Sequence, residues 1–397
     1  MITVFNSEIN FNDLFKIIKS LGQPHSFGEK KSLNKLLTEV HGKEYDLTYS
    51  SSGRVSLYKI LKSLNIKKKH KVALQAFTCS VVPKAIIESN AIPIYIDIEK
   101  TTLSMDFNDL KQKIQDVDVV LIQYTFGLTP KYLEKIYDLC KKLDKAIVLD
   151  KAHCMPEIIN NRQTFIENNC EGIFYSTDHT KAITAIRGGI CLSKKPVELN
   201  PKKLKHFKVS LPFFLETFLF NEKYYFLARI FFFIAKLLNY KYMPADEDYI
   251  AKSSYLIESR FWRAIVTYQI SRKKLRRNQI IQFYLKIKDI FDKYNLAYVP
   301  NLILDNSNTP LRIPIIFDTD LQKRNFLRIC KNNGINISDW FGGVLTCKQN
   351  EFSLYGYKLK TCMHAEKLSK KIVGFPCSKR FRNPSVLEKL DTILAKF

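Results

Sequence analysis

The segment Gly172–Leu192, with the sequence GIFYSTDHTKAITAIRGGICL, isolates one lysine in a polar loop between two apolar stretches. The flanking stretches, Gly172–Ser176 and Gly188–Leu192, are short, apolar and bounded by glycine or polar residues, which predicts two buried β-strands. If Lys181 is partly buried between them, the pKa of its amine is lowered and it can attack an aldehyde as a nucleophile. A surface position is the alternative, because Lys and Arg together account for 63 residues.

Apolar β-type runs alternate with amphipathic helical stretches from about residue 45 to residue 195. This alternation predicts crossover units and a mostly parallel sheet with helices on both faces. The predicted strands are Leu47–Ser50, Val72–Phe77, Ile92–Ile98, Val117–Tyr124, Ala146–Asp150, Gly172–Ser176 and Gly189–Leu192. Ligands of such sheets bind beyond the carboxyl ends of the strands. Four polar loops lie there and are expected to form one cleft: Ser51–Arg54, Phe77–Ser80, Tyr124–Gly127 and Asp150–His153.

The chain is predicted to have three parts. Residues 1–44 form an N-terminal helical segment that packs on the small domain, and residues 45–250 form the large α/β domain with a seven-stranded sheet. Residues 251–397 form a smaller α+β C-terminal domain, with strands at Pro310–Phe317 and Ile372–Pro376.

An aromatic-rich insertion at 199–245 has the pattern of neither domain. Within it, residues 207–240 carry many Phe and Tyr side chains, but Arg229 and Lys236 interrupt the apolar run. The run is therefore shorter than the roughly 20 apolar residues that a membrane span needs. An interfacial helix on anionic lipid is one interpretation, given the basic flank Lys202–Lys208. Packing against the large domain or against a second subunit is the other.

The composition, 46% hydrophobic and 25% charged, is that of a globular protein. The net charge of +25 fits nucleic acid, an anionic membrane surface or a polyanionic small substrate. The lysines are spread along the chain with no nucleic-acid motif, which argues against the first; a genome rich in AT codons would also inflate the lysine count. Nine cysteines without a CxxC pair predict reduced thiols and no metal site. The N-terminus lacks the order of a signal peptide, so a cytoplasmic location is expected.

A carboxylate stands at the inner end of an apolar strand in AIVLDKAH, residues 146–153. Burial of Asp150 is costly unless the carboxylate meets a cation or strong donors. Capping of a following helix is one explanation. A protonated pyridine nitrogen is the other, because pyridoxal-phosphate sites combine a Schiff-base lysine with a carboxylate facing the ring nitrogen. His153 lies three residues further on.

A turn suited to a phosphate follows the first predicted strand in YSSSGRVSL, residues 49–57. Gly53 allows a tight turn, and the amides of Gly53 and Arg54 would open a helix whose positive end favours an anion. Ser176 is a further hydroxyl for the same phosphate. Ser-rich turns are also common helix caps, so this motif is weak when taken alone.

Taken together, these stretches resemble the fold-type I pyridoxal-phosphate enzymes, and among them the DegT/StrS sugar aminotransferases. The resemblance covers about 45–195 and 310–390, in this order and spacing. It is carried by SSGRVSL (51–57), AFTCSVVPKAI (76–86), IPIYIDI (92–98), LDKAH (149–153), STDHTKAITAIRGG (176–189), GINISDW (334–340) and TCMHAEKLSKKIVGFP (361–376).

The resemblance implies a role for each site residue. Lys181 would carry pyridoxal phosphate as a Schiff base, Asp150 would pair with the pyridinium, and His153 would lie near the phenolic oxygen. Gly53, Arg54 and Ser176 would hold the phosphate. The family commonly has an aromatic ring over the cofactor at the position of Cys79, so stacking is expected to be weaker or to come from Tyr124. The chain also has Leu149 where a glutamate is usual, and Met155–Cys170 where a glycine-rich stretch is usual.

The function implied by the resemblance is amino transfer, usually from glutamate, to a nucleotide-linked keto sugar for polysaccharide or glycolipid assembly. A homodimer is expected, as in the family. A dehydratase on the same substrate class is an alternative, although such relatives tend to replace the lysine. A non-catalytic, membrane-associated scaffold that uses residues 199–245 is another, and the intact Lys181 and Asp150 argue against it.

Overall fold

The computed structural model describes residues 8–396, except for 24–25, 186, most of 197–258, 301–308, 338 and 340. A sheet in the order β3-β2-β4-β5-β6-β7-β1-β9-β8 forms its centre. The strands are β1 Asp46–Ser50, β2 Lys71–Gln75, β3 Ile92–Ile96, β4 Val119–Gln123, β5 Ala146–Asp150, β6 Gly172–Ser176, β7 Gly189–Ser193, β8 Lys202–Leu204 and β9 Tyr255–Ile257.

The prediction of a seven-stranded, mostly parallel sheet is confirmed for β1 to β7. Strands β3, β2, β4, β5 and β6 run parallel to one another, and β7 is antiparallel to both β6 and β1. The three-residue strands β8 and β9 extend the sheet at the β1 edge. They escape the sequence pattern because three residues are too few for a detectable alternation.

Helices cover both faces of this sheet, as its apolar strands require. Each face of the sheet has its own apolar core. The core on one face includes residues of β1 and the even-numbered positions of β4. The core on the other face includes residues of α3 and α4. The helices of this part are α1 Phe11–Ser20, α2 Lys30–His41, α3 Gly53–Ser63, α4 Val81–Glu88, α5 Phe107–Lys113, α6 Leu133–Lys142, α7 Asn161–Asn168 and α8 Arg260–Ser271.

The small domain is built on the antiparallel pair β10 Arg312–Ile316 and β11 Ile372–Pro376. Its helices are α9 Lys273–Tyr294, α10 Asp320–Asn332, α11 Met363–Ser369 and α12 Pro384–Leu394. Side chains of α9, α10 and α12 form a separate core around the two strands.

The N-terminal segment packs mainly on α8. Leu14 of α1 and Leu33 of α2 belong to the same core cluster as Trp262 of α8 and the large-domain sheet. Contact with the small domain is made by Glu8, whose carboxylate pairs with the guanidinium of Arg382 at 2.9 Å. The predicted boundary at 250/251 falls outside the described residues, and the separate small-domain core begins at α9.

The predicted insertion at 199–245 lies mostly outside the described residues. Five apolar side chains in it are described and are 40–68% exposed: Leu227, Ile230, Phe233, Ile234 and Leu237. Across the part of the chain that the structure describes, no helix has both the length and the hydropathy for crossing a bilayer.

Candidate active site

The strand ends bring the predicted catalytic residues into one site. Asp150 ends β5, in register with Gln123 of β4 and Phe174 of β6. Lys181 lies in the loop that connects β6 to β7, and its positive charge is close enough to affect the pKa of Asp150. Parallel strands place their carboxyl ends at one edge, which is why residues distant in sequence meet here.

Asp150 is a buried carboxylate, 4% exposed, at the floor of this site. One of its oxygens accepts a hydrogen bond from the Ala152 amide at 2.9 Å. Burial nevertheless raises its pKa to about 6, although the Ala152 hydrogen bond and the charge of Lys181 oppose the rise. The capping explanation is wrong, because the residues that follow Asp150 form a turn and no helix begins there.

The loop that carries Lys181 is held from both sides. The Ala185 amide donates to the Thr177 carbonyl at 2.9 Å and closes the loop. From α8, Gln269 accepts from the Thr184 amide at 3.0 Å, and from α9, Arg276 donates to the Ala182 carbonyl. These bonds fix the backbone on both sides of the lysine.

Burial lowers the pKa of the Lys181 amine. The negative charges of Asp178 and Asp150 and the nearby Cys79 thiol oppose this shift, while Arg312 adds to it. A lysine with a lowered pKa has a larger neutral fraction, which is the reactive form toward a carbonyl group. The sequence prediction that Lys181 is partly buried is consistent with this environment.

His153 is held in one tautomer. Its Nδ1 accepts a hydrogen bond from the Phe126 amide at 3.1 Å, so the ring proton of the neutral form resides on Nε2. Burial lowers the pKa of His153, and the positive charges of Lys181 and Arg312 lower it further. The ring packs between Phe126 and Phe341, at centroid distances of 6.5 and 5.9 Å. It is therefore a neutral donor in a fixed orientation.

A helix starts at the predicted turn, while the binding of a phosphate there stays a prediction. Helix α3 begins at Gly53, and the side chain of Ser52 caps it by accepting from the Val55 amide. A Cβ atom at Gly53 would lie 2.9 Å from Cβ of Ser176, so the helix start and the end of β6 touch only because this residue is glycine. The amides of Gly53 and Arg54 thus lie beside the Ser176 hydroxyl, which suits a phosphate.

Cys79 lies at the site and Tyr124 does not. Cys79 is half-buried, its sulfur accepts a hydrogen bond from Thr346 at 3.4 Å, and it is among the groups that affect Lys181. Tyr124 faces the other side of the sheet, where its hydroxyl donates to Glu167 and its ring lies 5.1 Å from the ammonium of Lys151. Tyr124 directly follows Gln123, the last residue of β4, and successive side chains of an extended chain point to opposite faces. The prediction that Tyr124 stacks on the cofactor has no support in this placement.

Arg312 is the site residue that sequence reasoning missed. It begins β10 of the small domain, is 2% exposed and donates to the Gly374 carbonyl at 3.0 Å. Burial lowers its pKa to about 10, and its charge affects both Lys181 and His153. The signal in the sequence is one arginine between apolar residues in PLRIPIIF, a pattern that a strand edge also explains.

The arrangement passes a test of fit for pyridoxal phosphate. A buried carboxylate with a raised pKa suits a protonated ring nitrogen, which would restore the carboxylate to its charged form. The lysine, the oriented histidine donor and the glycine-opened helix start supply the other three contacts that such a cofactor needs.

Comparison with known proteins gives a consistent result. Residues 10–207 match the model of the DegT/DnrJ/EryC1/StrS aminotransferase family. GDP-perosamine synthase of Vibrio cholerae is 24% identical over 156 residues, which are 38% of this chain and 41% of that protein. The chain spans about two fifths of the length of the curated relatives that it matches.

Two solved structures share the fold over nearly the whole chain. PseC of Helicobacter pylori, an aminotransferase involved in the biosynthesis of pseudoaminic acid, is similar with a TM-score of 0.72 at 14% identity, covering 100% of this chain and 98% of that one. The E. coli GDP-4-keto-6-deoxy-D-mannose-3-dehydratase, with bound hydrated pyridoxal phosphate, has a TM-score of 0.69 at 16% identity and covers 98% of each chain. At these identities the likeness concerns the fold alone.

Proposed function

The chain belongs to the DegT/DnrJ/EryC1/StrS aminotransferase family, and we propose that it is a pyridoxal-phosphate-dependent transaminase that moves an amino group from a donor, glutamate, to a nucleotide-activated keto sugar. The observation that carries the proposal is the meeting of Asp150 and Lys181 in one buried site. The presence of the lysine favours amino transfer over dehydration on the same substrate class.

Different residues around the site would bind different parts of the cofactor. Asp150 would pair with the ring nitrogen, Nε2 of His153 would donate to the phenolic oxygen, and Lys181 would provide the covalent attachment. The Gly53 and Arg54 amides and the Ser176 hydroxyl would hold the phosphate. When bound, pyridoxal phosphate supplies an aldehyde for attachment and a ring that accepts electron density from the reacting carbon.

The proton transfers fall to Lys181. Its neutral amine would take a proton from the alpha carbon of the donor. Its ammonium form would then deliver that proton to the cofactor. The lowered pKa of Lys181 increases the fraction of its amine that is neutral and able to accept a proton. Asp150 would stabilise the positive ring nitrogen throughout, which favours the loss of that carbon-bound proton.

Arg312 is the group best suited to hold the carboxylate of the donor. It is a buried guanidinium whose charge acts on both Lys181 and His153, and guanidinium binds carboxylates through paired hydrogen bonds. For the keto substrate, a diphosphate-bearing sugar suits the net charge of +25. The name of GDP-perosamine synthase likewise points to nucleotide sugars. The product would serve polysaccharide or glycolipid assembly.

The test of this function is a pair of half-reactions followed by absorption. Adding glutamate to the yellow holoenzyme is expected to remove the visible band, and a nucleotide keto sugar from a panel is expected to restore it. Arg312→Met is expected to raise the glutamate concentration required by about 10-fold or more, because the variant loses a charged hydrogen bond.

The matched control is Arg328→Met, an exposed arginine of α10. Equal behaviour of Arg312→Met and the control would remove Arg312 from donor binding. A band unchanged by glutamate, alanine and glutamine would contradict amino transfer itself.

Membrane contact is a further part of the proposal. Leu227, Ile230, Phe233, Ile234 and Leu237 recur at three- and four-residue spacing and are 40–68% exposed. That spacing puts them on one face of a helix, and the basic flank Lys202–Lys208 would attract anionic lipid. We therefore assign 207–240 as a peripheral contact of a cytoplasmic homodimer with the inner membrane.

Flotation with phosphatidylglycerol vesicles tests this contact. Wild-type protein is expected to float with the vesicles, and Phe233→Glu combined with Leu237→Glu is expected to weaken partitioning by about 10-fold or more, since two large apolar side chains are lost from the lipid. Leu354→Glu, at a leucine that is 72% exposed elsewhere, is the control. If partitioning is unchanged, or if the double variant instead loses its dimer, the surface is a protein interface.

A further inference from the structure

A second cavity lies apart from Lys181, between the start of α1, helix α9 and the start of α12. It has a volume of ≈ 780 Å³, which is within the range of small-molecule sites. We propose that this cavity, hereafter the N-terminal cavity, binds a nucleoside diphosphate. None of the predicted catalytic residues Lys181, Asp150 and His153 lines this cavity.

Three kinds of side chain line the cavity: cationic, amide and apolar. Cations are contributed by Lys286, Lys379, Arg380 and Arg382. Amide side chains come from both α9 and the segments next to α1 and α12, namely Asn10, Asn278, Gln279, Gln282 and Asn383. The oxygens of Asn10 and Asn383 cap α1 and α12, and that of Gln279 accepts from Arg382, so Asn278 and Gln282 are the amides best placed to meet a ligand. An apolar wall includes Phe11, a residue that is 41% exposed. The phosphates of a nucleotide pair with cations, its base edges and ribose hydroxyls form hydrogen bonds with amides, and its base stacks on an aromatic ring.

The charge of the cavity favours an anion. Among the described residues that line it, four are cationic and none is a carboxylate. Lys286 and Lys379 are both exposed, and neither forms an ion pair within the part of the chain that the structure describes. Arg382 is partly neutralised, because Glu8 accepts from it at 2.9 and 3.1 Å. The net field at the two lysines is therefore positive.

The mixture of chemistries excludes a simpler ligand. A site for inorganic phosphate alone would need neither the amides of Asn278 and Gln282, which cap no helix, nor a cavity of this size. An apolar ligand would leave the charges of Lys286 and Lys379 without a counter-charge. A nucleoside diphosphate uses all three walls at once.

A short chain of contacts connects the N-terminal cavity to the loop that carries Lys181. Arg382, on its wall, pairs with Glu8, and Glu8 also pairs with Arg276 at 3.5 Å. Arg276 donates to the Ala182 carbonyl, next to Lys181. A ligand that draws Arg382 toward its phosphates would change the contacts of Glu8 and thereby those of Arg276.

Calorimetric titration of UDP and GDP into the holoenzyme at fixed salt tests the site. One or both nucleotides are expected to bind more tightly than inorganic phosphate and than the free nucleosides. Lys286→Gln combined with Lys379→Gln is expected to weaken nucleotide binding by about 10-fold or more, because two charged contacts are lost. The control is Lys389→Gln, an exposed lysine of α12 that does not line the cavity.

Three results would overturn the proposal: affinity that is unchanged in the double variant, an equal loss in Lys389→Gln, or phosphate that binds as tightly as the nucleotides. If the double variant does not fold, Lys286→Gln alone is measured, with an expected loss of about 3-fold or more. The binding measurement is independent of amino transfer, so its failure leaves the proposed function untouched.

A second measurement identifies the source of the nucleotide, and it rests on the proposed function. If the cavity holds the nucleotide part of the substrate, the double variant raises KM for the keto sugar and leaves the glutamate half-reaction unchanged. If it holds a free nucleotide, added UDP or GDP changes the glutamate half-reaction of the wild type and not that of the variant. Either outcome, together with binding, supports the site, and an effect of nucleotide that is equal in both proteins contradicts it.

Discussion

Replacing Lys181 with alanine is expected to abolish amino transfer, with a loss on the order of 10³-fold or more in kcat. The variant lacks both the amine that attaches the cofactor and the base that moves the alpha proton of the donor. Its preparation is expected to lose the visible band of the attached cofactor while it keeps its fold, because the loop is held by Gln269 and Arg276 rather than by the lysine itself. Absorption and turnover are measured on the same sample.

Lys195→Ala is the matched control, since Lys195 is an exposed lysine shortly after β7. Added methylamine is expected to restore part of the proton transfer in Lys181→Ala, because the amine is what is missing. A variant that retains full turnover would show that another group carries the reaction. Loss of turnover in Lys195→Ala as well would point to a general effect of charge.

Asp150→Asn is expected to act in opposite directions on function and on stability. Turnover is expected to fall by about 10²- to 10⁴-fold, because an amide cannot keep the ring nitrogen protonated. The cofactor-free variant is expected to be more stable than the wild type at pH 7, because the cost of burying a carboxylate is removed. A pKa raised from 3.8 to about 6 corresponds to about 3 kcal/mol.

The raised pKa of Asp150 also determines how the stability gain of Asp150→Asn changes with pH. Between about pH 4 and pH 6 the folded cofactor-free protein holds the Asp150 proton more tightly than the unfolded chain, so its stability falls as the pH rises through that window. The stability gain of Asp150→Asn is therefore expected to be smaller at pH 5 than at pH 7. Urea denaturation at the two pH values measures it.

Asp289→Asn, at an exposed aspartate of α9, is the control and is expected to change neither quantity. A cofactor-free Asp150→Asn protein that is less stable at both pH values would mean that the carboxylate has a structural partner. In that case its raised pKa would not reflect a place reserved for the cofactor.

The sequence predicts the catalytic centre better than its surroundings, for physical reasons. The strands Ala146–Asp150 and Gly172–Ser176 agree with the structure at both ends, because buried parallel strands are continuous apolar runs that stop at the first polar residue. Asp150 and Lys181 follow from those ends. Asp150 is the polar residue at which one apolar run stops, and Lys181 lies in the polar loop that follows the other, so both are marked by a local signal.

No such local signal in the sequence shows that Tyr124 points to the opposite face of the sheet or that Arg312 of the small domain reaches the site. Tyr124 lies one residue beyond Gln123, the end of β4, and the face of the sheet to which each side chain points depends on register. Arg312 reaches the site by tertiary packing of β10 beside Phe126, whose carbonyl accepts from the Leu311 amide at 2.7 Å. The N-terminal cavity joins residues from opposite ends of the chain. None of these is encoded in a short stretch of sequence.

Borohydride reduction of the holoenzyme, followed by peptide mass spectrometry, tests most directly whether Lys181 and Asp150 flank one shared cofactor. The pyridoxyl group is expected on the peptide that contains Lys181 in the wild type, and the yield is expected to fall sharply in Asp150→Asn, where the ring is held less tightly. A label on any other lysine, or a yield that is the same in both proteins, would contradict the account.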